Sequence, residues 1–98
     1  MKNNEIYLTV ELSENCVMLG SIKPGDILTL RKNPNSCYDD EAIDAFDKND
    51  IKAGEVGNSV EHVARGTYSA GRVYDKIGDE QRAETLFIID EWVIVRLI

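Results

Sequence analysis

Cysteine, histidine and proline are scarce in this chain, with two, one and two copies among 98 residues. Cys16 and Cys37 have no CxxC spacing, so neither a disulfide framework nor a zinc site is indicated, and a reduced, cytoplasmic setting is expected. His62 lies in a short helical pattern with no nucleophile elbow in the chain, which gives a Ser-His-Asp or Cys-His centre no support. The glycines form neither GxGxxG nor the GxxxxGKS/T phosphate loop. No apolar run approaches the roughly 20 residues of a membrane span, and "MKNNEIYLTV" lacks the apolar core of a signal peptide. The chain is expected to be no enzyme, to carry no cofactor or metal, and to stay off membranes.

Positive charge is short as well. Eleven Lys and Arg face eighteen Asp and Glu, a formal charge of −7, and no basic block occurs. A protein that coats a duplex neutralises phosphates with clustered cations. This composition excludes that mode and leaves room for a nucleic acid only at one local site.

What is present suits one domain spanning residues 1–98. Hydrophobic residues make up 43%, and a domain of this length buries about two-thirds of the surface its unfolded chain exposes. "IYLTVEL" (6–12) alternates, with Ile6, Leu8, Val10 and Leu12 on one side and Tyr7, Thr9 and Glu11 on the other, as in a half-buried strand. "IKPGDILTLRK" opens on a Pro24-Gly25 turn and alternates through Leu28 and Leu30. "AIDAF" and "IKAGEV" flank "DKND", a hairpin loop. The loop superficially matches a calcium site, but Ile51 stands where a ligand is needed. Ser59 can cap a short helix "VEHVAR". Ser69 can cap a second helix, "AGRVYDKI", with Ala70, Val73 and Ile77 on one face and Gly78 as its stop. "ETLFIID" and "WVIVRLI" complete the strands; their nearly continuous runs, Leu86–Ile89 and Trp92–Val95, are expected in the centre, with Trp92 in the core. Strands, two short helices, then strands point to a mainly β fold, a small antiparallel barrel of about six strands with helices over one opening.

The stretch "NPNSCYDDEAI" (33–43) is the most pointed feature. A surface turn needs Asn, Pro, Ser and Asp, yet here it also delivers Tyr38 beside Asp39. Tyr38 can bury its ring with its hydroxyl tied to backbone while Asp39 caps the turn; alternatively, the pair holds a ligand. Asp39, Asp40, Glu41 and Asp44 read as solvated charge beside the turn, and Tyr68 and Tyr74 as core or rim packing.

Taken in order, "KPGDILTLRKNPNSCYDDEAIDAF", "GEV" and "YSAGRVYDKIGD" resemble the HIRAN family, in particular its small stand-alone bacterial branch. The likeness covers roughly residues 22–79. It implies an OB-like barrel and a non-catalytic module that binds single-stranded DNA at its free 3′ end. By this resemblance Tyr38 stacks on a base and Asp39 accepts a hydrogen bond from the terminal hydroxyl. Ser36 stands at the family's Asn position, and Arg31 would hold a flanking phosphate, with Arg65 and Arg72 as further candidates. The family's paired aromatics fall near Cys16 and Val17, and Glu55 replaces another aromatic. An alternative from a different class is a protein-interaction module on the same barrel, for which the acidic surface favours a basic partner.

Overall fold

The computed structural model describes residues 5–33, 42–57 and 66–98. Six strands, β1 (Tyr7–Leu12), β2 (Ile27–Lys32), β3 (Ile43–Phe46), β4 (Lys52–Val56), β5 (Glu80–Ile89) and β6 (Trp92–Leu97), close into one barrel. Their order around the wall is β1-β4-β3-β2-β5-β6, and every neighbouring pair is antiparallel. The fold is therefore mainly β, a small OB-like closed barrel with two short helices among the described residues.

The interior follows from period-two alternation. Leu8, Val10, Leu28, Leu30, Ile43, Ala45, Ala53, Ala83, Val93 and Val95 point inward and are almost fully buried. Gly54 lets β4 pass close to β1: a Cβ there would overlap the carbonyl oxygen of Glu11. Gly25 takes φ of 95°, the left-handed conformation that the Pro-Gly turn calls for.

Because six antiparallel strands close the wall, β1, β3 and β5 all end at one rim, and β2, β4 and β6 at the other. The first rim carries helix α1 (Glu14–Leu19), the 47–51 turn and the 90–91 turn. The second carries residues 66–79, which include helix α2 (Ala70–Val73) and a 3-10 helix at Tyr74–Lys76. They are called the α1 end and the α2 end below.

Several expectations hold. At the "DKND" hairpin, the Asp47 carboxylate accepts from the backbone N–H groups of Asn49 and Ile51 at 2.8 and 3.0 Å, so it caps the turn. Ser69 accepts from the backbone N–H of Arg72 and starts α2, whose Ala70 and Val73 are buried, as is Ile77 beyond it.

Other expectations need correction. The second helix is shorter than its apolar spacing suggested, tightening to 3-10 at Tyr74 and becoming extended at Ile77 before Gly78 is reached. No element was expected over residues 13–20, yet Ser13 caps α1 and Gly20 ends it with φ of 58°. Thr9 was expected outward and is nevertheless buried. Residues 66–68 cross over it: its hydroxyl bonds Thr67 at 2.8 Å, and the backbone N–H of Tyr68 donates to Tyr7.

β5 begins at Glu80, four residues before the expected "ETLFIID". Its Leu86–Ile89 run is not central. β2 pairs with β5 only up to Ile27–Glu84, and an irregularity between Thr85 and Phe87 shifts the alternation. Phe87 and Ile89 are consequently 48% and 56% exposed. Trp92 pairs with Ile89 and Glu11 on the outer wall and is half-buried, not in the core. The helix expected at 60–65 lies outside the described residues.

Candidate nucleic-acid interface

The segment that carries Ser36, Tyr38 and Asp39 connects β2 to β3, and both strands open onto the α2 end. Those three residues lie outside the described residues, as do Cys37, His62 and Arg65. Asn33 and Ala42, which flank the segment, are joined by a 2.9 Å hydrogen bond from the Asn33 N–H to the Ala42 carbonyl. Asn33 also donates through Nδ2 to Asp44 at 3.1 Å.

Two aromatic rings at the α2 end have cations over them, and one of these pairs adjoins this base. Lys32, the last residue of β2, places its Nζ 4.6 Å from the centre of the Tyr74 ring. Arg72, in α2, places its guanidinium 4.7 Å from the centre of the Tyr68 ring. Both tyrosines are half-buried and pack on the core, consistent with the rim packing expected of them. Tyr68 and Arg72 come together because they are four residues apart across the start of a capped helix. Lys32 and Tyr74 meet only through the barrel, so no local spacing signals the pair. Each contact contributes on the order of 0.5–1 kcal/mol at such exposed sites.

Arg31 is placed differently. Its side chain lies on the outer wall with the guanidinium 4.7 Å from the centre of the Phe46 ring. It pairs with Asp50 at 2.6 Å and Glu80 at 2.7 Å. Hydrogen bonding to Asp50 leads the causes that raise its pKa above the ordinary arginine value. A phosphate at Arg31 would have to compete with both carboxylates.

A row of acidic side chains continues along that wall. Glu11 pairs with Glu55, and Glu55 with Asp44, so like charges stand opposite each other on three adjacent strands, an arrangement that destabilises a sheet. Lys52 relieves it, with Nζ 3.0 Å from Glu55 and 3.4 Å from Asp44. Hydrogen bonding to Glu55 is the main influence that raises the Lys52 pKa. Among the described residues no group of three His, Cys, Asp or Glu could hold a metal ion. Cys16 is a free thiol, and no helix among the described residues is long and apolar enough to cross a membrane.

The α2 end is thus where the described residues gather aromatic faces and cations, whereas the wall beside it repels phosphate. Scans against protein-family models, curated proteins and solved structures each returned no match for this chain.

Proposed function

We propose that the α2 end is a non-catalytic site for single-stranded nucleic acid, of the kind the HIRAN resemblance implies, with preference for a free 3′ end. The observation that carries this reading is the pairing of two half-buried tyrosines at the α2 end with Lys32, which adjoins the base of the 34–41 connection, and with Arg72. Tyr38 would stack on the terminal base, where an aromatic face contributes about 1–3 kcal/mol per base whatever its identity. Asp39 would accept a hydrogen bond from the terminal hydroxyl and repel a terminal phosphate, which selects an end over an interior. Ser36 would supply a further polar contact. Lys32 and Arg72 sit over rings and, among the described residues, form no ion pair with a carboxylate, so they are better poised for flanking phosphates than Arg31.

With a chain charge of −7, attraction has to be local, and binding should weaken as salt rises. Fluorescence anisotropy of a short labelled single strand at low salt tests the reading, with a free 3′ hydroxyl in one version and a 3′ phosphate in the other. Preference for the hydroxyl, lost in Asp39→Ala, is expected; Tyr38→Ala should weaken both strands by about tenfold or more. Failure of both strands to bind at tens of micromolar would sink the proposal and leave Tyr38-Asp39 as a clasp for the turn.

A further inference from the structure

A closed barrel normally leaves no strand edge to recruit a partner, but this one closes incompletely at its α1 end. β5 is ten residues long, and its pairing with β2 stops at Glu84. The last backbone contacts on that side are at Thr85, which donates to the Asp26 carbonyl at 2.8 Å and accepts from the Gly25 N–H at 2.7 Å. Beyond Thr85, among the described residues, Phe87–Ile89 pair with β6 alone. A short two-stranded ribbon therefore projects past the β2 side of the wall.

The projecting stretch starts at the register shift between Thr85 and Phe87 but lacks the side-chain defences of an edge. Lys, Pro or an inward charge commonly blunts such edges; here the sequence is Leu86, Phe87, Ile88, Ile89. Ile88 packs on the core. Phe87 and Ile89 point outward and, with Leu86, Ile94, Tyr7 and the crossing residues Gly66 and Thr67, line a shallow hollow of about 280 Å³ on the outer face. Asp90 and Glu91, both exposed, close the ribbon.

We propose that this edge accepts an added β-strand from another protein, an extended segment that is apolar in the middle and basic at its ends. Main-chain hydrogen bonds to the ribbon would supply affinity, and the partner's outward side chains would extend the apolar face of Phe87 and Ile89. Charge decides between this partner and a second copy. Antiparallel self-pairing centred on Phe87 would set Glu84 of each copy opposite Asp90 of the other, and each chain already carries −7. Like charges directly opposite destabilise a strand pair, while Lys or Arg on a heterologous segment would meet Asp90 and Glu91 favourably. The same carboxylates disfavour an anionic lipid surface.

The test is an NMR titration of the full chain with a synthetic peptide in which valine and threonine alternate between terminal lysine pairs. Two control peptides replace the lysines with glutamate or place proline at the centre. The expected result is amide shifts and slowed hydrogen exchange confined to Leu86–Ile89 and the adjoining hollow. Affinity should fall by about tenfold or more for either control peptide and for the exposed-site variant Ile89→Lys. Oligonucleotide binding at the far end should be unchanged in that variant. Shifts centred elsewhere, equal binding of the proline peptide, or no response at millimolar peptide would each overturn the proposal. So would light scattering that shows a dimer of the free chain which Ile89→Lys dissolves, because the edge would then belong to a second copy.

Discussion

At the α2 end, Ala70, Val73 and Ile77 plug the barrel, residues 66–68 lie along β1, and the half-buried tyrosines carry cations. At the α1 end the lid is thinner. Helix α1 has no buried residue, and its Met18 and Leu19 are 77% and 76% exposed. Ile51, Phe87 and Ile89 are exposed on the turns and ribbon around it. The same fold thus seals one opening with the apolar side chains of its helix, and buries Ile22 and packs Cys16 at the other while leaving Met18, Leu19 and Ile51 outside. Burial at the first end supports the barrel, while exposure at the second stabilises nothing within the chain and suits a surface that meets something else.

The sharpest way to break this contrast is to shorten one side chain at each end. Val73→Ala should cost about 2 kcal/mol, through lost transfer energy and a residual cavity. Leu19→Ala should stay within about 0.5 kcal/mol, because it empties no packed site. Urea unfolding of both variants decides the matter, and equal losses would mean that α1 contributes to the core after all.

A second substitution asks what holds the α1 end if its helix does not. Gly54→Ala should destabilise by about 3 kcal/mol, near the top of the range for overpacking, because the added carbon meets the Glu11 backbone rather than a movable side chain. A midpoint close to wild type in the same assay would place the strength of that end elsewhere than in the β1–β4 seam.

The helix caps offer a smaller comparison. Ser69→Ala removes the acceptor for the Arg72 N–H from a helix that carries core residues, at a cost of about 1 kcal/mol. Ser13→Ala removes the corresponding cap of α1 and should fray that helix, by circular dichroism or amide exchange, with less effect on global unfolding.

A further small effect lies on the wall between the ends. Lys52→Met should cost under about 1 kcal/mol, since the pairs it breaks are partly exposed. The Lys52 pKa is raised on folding, so its contribution is fully present below the ordinary lysine pKa and lost as pH rises through the folded value. The gap between wild type and Lys52→Met should therefore close on the alkaline side, and a gap that widens there would reverse the assignment.

Much of the wall was legible from alternation, because β1 and β2 put an apolar residue at every second position and "PGD" and "DKND" mark turns by chemistry. The ends were less legible, for physical reasons. α1 had a Ser13 cap and a Gly20 stop, but six residues with no buried face give no periodic signal. Glu80, Gln81 and Arg82 form strand without apolar alternation because they are held by pairing with β2. Leu86–Ile89 reads like a buried strand; that β2 stops short of it is a fact of register, not of composition. The cation over Tyr74 comes from Lys32, more than forty positions away, a pairing only closure of the barrel creates. Tyr38 and Asp39, the residues with the clearest motif, fall outside the described residues.

The division of labour between the two ends is tested most directly by an amide NMR map of the full chain titrated with a short single strand bearing a free 3′ hydroxyl. The expected result is movement at Lys32, Asn33, Tyr68, Arg72 and Tyr74, with Phe87 and Ile89 still. Movement centred on the α1 end, with the α2 end unchanged, would contradict it.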